Sequence, residues 1–309
     1  MTLSVTVHER APDPVELALA IDIGGTKLAV GLVDDAGHVH ASEVHPTPGQ
    51  GDGEAMFAVL GAMVGRIRHA GIERGWPAHV VCGVGTGGPM TGHGDAVSPV
   101  NIPAWRDFPL RPRLAEATGL PVFVDNDAKA LAVAEGWIGA AAGHLNFIGM
   151  VVSTGVGGGI ILDGRLLDGA QGNAGHIGHI TVDPDSSHRC GCGAYGCLEA
   201  EASGTAIARI TGRSAKEATP EVIERTGTMV GRAVAAVANL LDLDLAVVAG
   251  SVALGFGDPF FAAAQREIDA RAQLDFARGT TIRRAGLGAD APLVGAGAIG
   301  WRGLGRHIL

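Results

Sequence analysis

Aromatic side chains are scarce: they make up 4% of the 309 residues, with a single tyrosine. A core must therefore be built from Ala, Val, Leu and Ile, which suits stacked α/β layers. Apolar residues reach 47% and mean hydropathy is +0.26. Yet no run of about 18 consecutive apolar residues occurs, so no membrane span is expected. Positive charge is outnumbered, 23 Lys and Arg against 32 Asp and Glu, for a formal net charge of −9. That balance excludes a basic nucleic-acid footprint. The stretch 1–16 mixes Glu9, Arg10, Asp13 and Glu16 with two prolines. It lacks the basic start and apolar run of an export signal. The expectation is a short flexible leader on a cytoplasmic protein. Cysteine is rare too, at four residues. Three of them crowd into Cys190, Cys192 and Cys197, which without an export signal suggests metal before disulfides. Cys82 lies in an apolar run and reads as buried filler.

Glycine, by contrast, is abundant at 49 residues. The length favours two lobes, because single cores stop growing near roughly 250–300 residues. Leu17–Gly24 reads as a buried strand carrying one acid, Asp22, and Leu28–Val33 as the next strand of an antiparallel meander. Glu54–Ala70 has helical spacing. Val80–Val84 and Val122–Val124 read as buried strands, the latter running through Asp125-Asn126-Asp127 into a helix over Ala128–Ile138. The pattern then restarts. Phe147–Val152 is a strand, followed by Ser153-Thr154-Gly155-Val156-Gly157-Gly158-Gly159 and short strands at Ile160–Leu162 and Arg165–Leu167. A strand, a Gly-rich turn and a second strand thus occur once in each half, which points to two related lobes. Gln171–Cys197 reads as a loop that does chemistry or binds metal. Glu221–Leu241 and Pro259–Ala272 read as helices. Leu245–Val248 is a strand ending at Ala249-Gly250-Ser251. Ala291–Leu304 is expected to pack back on the first lobe as a helix. The expected division is 1–16 leader, 17–125 with about 291–309 as the N-terminal lobe, and 126–290 as the C-terminal lobe.

Two segments match the spacing of a dinucleotide fingerprint: Gly83-Val84-Gly85-Thr86-Gly87-Gly88 and Gly295-Ala296-Gly297-Ala298-Ile299-Gly300. A true site needs a helix directly after the glycines. The first match runs into Pro89, and the second leaves no room for a following strand. Neither is read as a nucleotide site. Asp22-Ile23-Gly24-Gly25-Thr26-Lys27 is a better phosphate cradle. Its glycines admit phosphate oxygens to the backbone amides, Thr26 can donate, Lys27 can neutralise charge, and Asp22 can hold Mg²⁺ through water. A hairpin turn would use Gly-Gly equally well. The Ser153–Gly159 stretch is the second cradle, and the two together could clamp a triphosphate. Neither is a Walker A motif. Asp127, at a helix start, is a candidate general base, its anion favoured by the helix dipole. It would serve equally as a plain N-cap.

Asp22–Lys27, the second Gly-rich loop, Asn126-Asp127, Gly175–His179 and the run Cys190-Gly191-Cys192-Gly193-Ala194-Tyr195-Gly196-Cys197-Leu198-Glu199 together resemble the ROK family (repressors, uncharacterised frames and sugar kinases). The resemblance covers nearly the whole chain from about Leu17. It implies a two-lobed actin-like ATPase (ribonuclease H-like) α/β fold with an interlobe cleft. It implies ATP-dependent phosphorylation of the 6-hydroxyl of a hexose or amino-hexose, with Asp127 as general base. Sugar contacts carried over with it are Asn101, Asn126, Asp127, His176, His179 and Glu199. Phosphate contacts are Asp22, Gly24, Gly25, Thr26, Lys27, Ser153, Thr154, Gly155, Gly157 and Gly250. The implied cofactors are ATP, with polyphosphate as the alternative donor, Mg²⁺ and a structural Zn²⁺. The zinc set is His179, Cys190, Cys192 and Cys197, with His188 as the rival fourth ligand. A homodimer or homotetramer is implied, with no nucleic-acid or membrane partner.

The substrate signals conflict. Asn101-Ile102-Pro103-Ala104-Trp105 is similar to the Asn-Leu-Pro-Gly-Trp stretch of the family's glucokinases. Those enzymes usually carry Ala-Gly-Glu-x-Gly-His where this chain reads Ala174-Gly175-His176-Ile177-Gly178-His179. Imidazole both donates and accepts where a carboxylate only accepts, which suits an acetamido group. N-acetylmannosamine kinases look similar at this segment and in Ser153–Val156. The expectation therefore favours N-acetylmannosamine, then an amino-glucose such as kanosamine or glucosamine, with glucose as the alternative. Outside the kinases, a sugar-responsive repressor and a non-catalytic sugar-binding protein remain as other classes.

Overall fold

The structure is a computed structural model that describes residues 5–8, 16–48 and 52–309. In chain order the elements are β1 (Thr6–Val7), β2 (Leu17–Ile23), β3 (Lys27–Val33), β4 (Val39–Pro46), α1 (Gly53–Glu73), β5 (His79–Thr86), β6 (Met90–Thr91), β7 (Ala96–Val97), α2 (Leu110–Thr118), β8 (Val122–Asn126) and α3 (Asp127–Ile138). They continue with β9 (Phe147–Val152), β10 (Val156–Leu162), β11 (Arg165–Leu166), α4 (Leu198–Ala202), α5 (Gly204–Thr211), α6 (Pro220–Leu241), β12 (Leu245–Ala249), α7 (Ser251–Phe256), α8 (Asp258–Arg271), β13 (Thr281–Arg284) and α9 (Ala291–Gly303).

The chain forms two compact units. One holds the described residues up to Ile138 with Asp168–Ala174 and Ala289–Leu309; the other holds Gly139–Leu167 and Gly175–Gly288. The first unit continues past Asp125, where the sequence reading ended it, because α3 packs against α9. The leader was expected to be flexible to residue 16. Thr6 and Val7 instead pair with Ser42 and Ala41, and most of the remaining leader lies outside the described residues.

Each unit is built on one main sheet, and β6 and β7 form a separate antiparallel pair in the first unit. The first has the order β1-β4-β3-β2-β5-β8, the second β11-β10-β9-β12-β13. In the first, β2 is antiparallel to β3 and parallel to β5, and β5 is parallel to β8. In the second, β9 is antiparallel to β10 and parallel to β12, and β12 is parallel to β13. The two central patterns are the same, so the repeated strand–turn–strand signal in the sequence marks a repeated topology. In β2 every residue is buried, Asp22 included, which explains why it reads as a near-continuous apolar run rather than an alternating one.

By length and composition, α1 is apolar enough to cross a membrane. Here it is a core helix: Met56, Leu60, Met63, Val64 and Ile67 are buried, with Asp52 capping its start through Ala55 N.

The two fingerprint-like segments are halves of one packing device. Gly83–Thr86 lies in β5, and Gly295–Gly300 lies inside α9. A Cβ on Gly83 would sit 1.9 Å from the Ala296 carbonyl oxygen and 2.6 Å from Gly300 N. On Gly295 it would meet the Ala130 carbonyl at 2.6 Å, and on Gly303 the Phe123 ring at 2.1 Å. Glycine here lets α9 approach the sheet and α3 at backbone distance. Gly83→Ala should therefore cost about 3 kcal/mol or more, since backbone on both sides cannot yield. Differential scanning calorimetry checks this, and a melting temperature within about 2 °C of the parent would contradict it.

Candidate functional site

In the first unit the β2–β3 turn carries Gly24, Gly25 and Thr26. Gly24 N donates to the Lys27 carbonyl at 3.0 Å, Thr47 Oγ1 donates to the Gly24 carbonyl at 2.6 Å, and Thr47 N to the Thr26 carbonyl at 3.0 Å. Gly25, Thr26 and Lys27 stay exposed. A Cβ on Gly25 would lie 2.7 Å from Asn101 Cβ. The turn thus rests directly on Asn101, which is exposed. The rest of that stretch is its anchor. Ile102 and Trp105 are buried, Trp105 stacks on Phe108 at 4.4 Å, and its Nε1 donates to the Gly53 carbonyl at 3.0 Å. Arg106 ties down the carbonyls of Pro99, Ile102 and Trp105.

Asp22 lies opposite Gly85, and Asn126 opposite Thr86, on the two sides of β5. Gly85 fills the place between the acids: a Cβ there would be 3.6 Å from Asp22 Oδ1 and 3.7 Å from Asp127 Cα. Asp22 is only 8% exposed. Burial first, and the neighbouring Asp127 charge second, push its carboxyl up to about 7, against the pull of Lys27. Asp127 begins α3 and is exposed at its surface, yet protein surrounds it closely enough that desolvation raises its pKa. The backbone amide of Ala128, which donates to Asp127 Oδ1 at 2.8 Å, only partly opposes this. The helix start pulls toward the anion, but desolvation outweighs it. The result is a reachable carboxylate with raised basicity, which is what a general base near neutral pH requires.

In the second unit the turn between β9 and β10 comprises only Ser153, Thr154 and Gly155. Gly157, Gly158 and Gly159, expected in a loop, pair with Val151, Met150 and Gly149 as strand. At Gly158 the absence of a side chain serves packing. A Cβ on Gly158 would meet Ile177 Cγ2 at 2.9 Å, and one on Gly178 would meet the Val156 carbonyl at 2.2 Å. The Gly175–His179 segment thus lies flat on β10. The turn itself is fastened by Gly204 N to the Ser153 carbonyl at 2.7 Å and by Thr205 Oγ1 to the Thr154 carbonyl at 2.9 Å. Ser153 Oγ lies 3.0 Å from Ser251 Oγ, directly after Gly250. Gly250 has φ +103°, and a Cβ there would lie 2.3 Å from the Val152 carbonyl oxygen. Glu199 Oε2 accepts from Val156 N at 3.0 Å. One carboxylate oxygen of an expected sugar ligand is therefore committed to the first amide of β10.

The metal-ligating atoms of His179, Cys190, Cys192 and Cys197 all lie within 4.8 Å of one another. His179 Nδ1 is 3.5 Å from Cys190 Sγ, and Cys192 Sγ is 3.8 Å from Cys197 Sγ. A tetrahedral zinc with Zn–S of about 2.3 Å and Zn–N of about 2.0–2.1 Å requires separations of about 3.8 Å for S···S and about 3.5 Å for N···S. The donor set fits zinc in chemistry and spacing. Burial pushes the Cys190 thiol up and the Cys197 thiol up to about 12, while the Ala194 backbone amide holds Cys192 down. A divalent cation is what would draw the protons off the first two. The rival ligand is otherwise engaged: His188 Nδ1 is 2.9 Å from Glu201 Oε2, which Arg225 also holds. Cys82 is buried, and its thiol is pushed up to about 12, as expected for inert filler.

The structure thus groups Asp22, the first turn, Asn101, Asn126 and Asp127 within one unit. It groups Ser153–Gly155, Gly250, His176, His179, Glu199 and the cysteines within the other. Thr47, which pins the first turn, was missed, because a lone threonine after a strand belongs to no motif.

The sequence matches the ROK family over residues 18–301. It is 35% identical to a glucokinase of Halalkalibacterium halodurans over 312 residues, covering 90% of this chain and 93% of that protein. It is 37% identical to an N-acetylmannosamine kinase of Citrobacter koseri over 254 residues, covering 77% and 84%. Among solved structures, a ROK hexokinase from Thermus thermophilus superposes with a TM-score of 0.80 at 34% identity, covering 94% of this chain and 99% of that one. These relatives support a sugar-kinase function. Family match, identity over nearly the full length and shared topology together show that this chain belongs to the ROK family, with the actin-like ATPase fold of its sugar kinases.

Proposed function

We propose that the protein transfers the γ-phosphoryl group of ATP to the 6-hydroxyl of a hexose or amino-hexose. The observation that carries this reading is Asp127: an accessible carboxylate of raised pKa, beside Asn126 and across Gly85 from Asp22. Asn101, Asn126, His176, His179 and Glu199 would hold the sugar hydroxyls. The amides of the Gly24–Thr26 and Ser153–Gly155 turns, with Lys27 and the Gly250 backbone, would receive the phosphates. Asp127 takes the proton from the 6-hydroxyl as that oxygen attacks the γ-phosphorus. The bond from that phosphorus to the ADP oxygen breaks in line, giving a sugar 6-phosphate and ADP. Mg²⁺, held by Asp22, would offset phosphate charge. Zinc would be a structural ion at His179, Cys190, Cys192 and Cys197. Coordination through Nδ1 would leave His179 Nε2 to donate to the sugar.

Among substrates, N-acetylmannosamine is favoured because His176 stands where the family's glucokinases carry Glu, followed by an amino-glucose. Glucose is the second reading. The fuller-length similarity to a glucokinase and the Asn101–Trp105 anchor support it. Release of ADP measured over a panel of hexoses and amino-hexoses tests both. Turnover should be highest with N-acetylmannosamine, and absence of turnover with every sugar would refute the kinase reading. His176→Glu should move the kcat/KM ratio of glucose to N-acetylmannosamine up by about 10-fold or more, the worth of one exchanged polar contact. An unchanged ratio would remove His176 from the selection of substrate.

A further inference from the structure

Lys129 is a lysine of the first unit whose side chain is only 1% exposed, and none of the roles above uses it. It lies on α3, two residues after Asp127. Its Nζ donates to Asp125 Oδ1 at 2.9 Å, to Asp168 Oδ1 at 3.3 Å and to the Gly172 carbonyl at 3.1 Å. A buried ammonium is tolerated only when paired and hydrogen-bonded, and three oxygens satisfy its three donors.

Those partners lie on two segments. Asp125 Oδ1 also accepts from Asn126 N at 2.8 Å, so the lysine braces the backbone that presents Asn126 and Asp127. Asp168 and Gly172 belong to Asp168–Ala174, the strap of chain that this unit holds although its neighbours on both sides belong to the other. Arg302 of α9 grips the same strap through Asp168 Oδ2 at 2.7 Å. Asn173 Nδ2 fastens it to the Met90 carbonyl at 3.1 Å. The strap runs directly into Gly175 and His176. One buried charge therefore ties the segment bearing the base to the segment leading into the sugar contacts.

We propose that Lys129 is a positioning residue that holds Asn126-Asp127 and the Asp168–Ala174 strap in one arrangement, so that both the transfer step and sugar binding depend on it while nucleotide binding does not. This rests on the kinase reading for its kinetic part, but the strap contact can be tested separately. In Lys129→Met, hydrogen exchange of amides 168–174 should speed up by at least about 10-fold, a readout that needs no activity. kcat should fall by about 10-fold or more and sugar KM should rise, with nucleotide KM within about 2-fold of the parent. Should Lys129→Met not fold because Asp125 is left as an unpaired buried charge, Lys129→Met with Asp125→Asn removes that charge. The same three changes are expected in the double variant. Unaltered exchange in the strap, or parental kcat and sugar KM in either folded variant, overturns the proposal. Equal losses in the KM of sugar and nucleotide also overturn it, because they would mark a merely structural role. If the parent enzyme phosphorylates no sugar while the strap loosens as expected, the kinase reading has failed and the bracing has not.

Discussion

Asp127→Asn should lower kcat by about 10³-fold or more while sugar still binds with a Kd within about 3-fold of the parent. A general base acts in the transition state, and its contribution is typically 10²–10⁴-fold. Asparagine keeps the shape and the acceptor that meets Ala128 N, so ground-state contacts survive and only proton acceptance is lost. A second signature accompanies this. The Asp127 charge helps to hold the Asp22 carboxyl up near about 7. Its removal should let the Asp22 titration, followed by NMR, move downward. The parent has a pH signature as well. Burial raises the Asp127 pKa, so activity should begin to fall on the acid side at a higher pH than the ordinary carboxylate value of about 4. As pH drops through the raised value the base is protonated and transfer stops. Unchanged turnover in Asp127→Asn would remove this carboxylate from the chemistry.

The second large effect is expected from Cys192→Ser. Cys192 is the one exposed thiol of the cluster, so serine makes no cavity there and the consequence is carried by coordination alone. Metal content, measured by atomic emission, should fall well below one zinc per chain. The fixed orientation of His179 is lost with it, and sugar KM should rise by about 10-fold or more, in line with the effect of disturbing a ligand's surroundings. The destabilisation should be local, reported first by the 180–198 segment. There the main chain is held by thin contacts such as Thr181 opposite Cys197 and Arg189 opposite Tyr195. Full zinc retention in Cys192→Ser would contradict the four-ligand set.

Much of the fold was legible because the strands are buried on both faces. β2, β5, β9 and β12 are short apolar runs ended by small or polar turn residues, and their repeat in each half gave the two related units. β4 and β13 were not legible. In Val39–Pro46 the buried side chains are His40, Ala41 and Glu43 while Val44 is exposed, and Thr281–Arg284 has only Ile282 buried. Strands of this composition carry little apolar signal, β13 at the edge of its sheet and β4 one place in from an edge. The glycines misled in both directions. Gly83 and Gly295–Gly300 imitate a dinucleotide site because helix-on-strand contact at backbone distance needs the same residue that pyrophosphate does. Gly157–Gly159 looked like loop because nothing in the sequence tells a glycine that admits phosphate from one, such as Gly158, that admits the Gly175–His179 segment. The grouping of His179 with Cys190, Cys192 and Cys197 was legible by spacing, while His188 is turned to Glu201 instead. The strap contact of Lys129 and the turn contact of Thr47 were invisible, since Gly172 and Gly24 lie 43 and 23 residues away in sequence.

The most direct measurement is the position of phosphate in the product. Incubation with ATP and each sugar that turns over, followed by ³¹P–¹³C correlation NMR, should show phosphorus coupled to carbon 6 of a hexose or amino-hexose. Phosphorus attached to carbon 1, or no sugar phosphate formed with any hexose, would contradict a base at Asp127 acting on a primary hydroxyl.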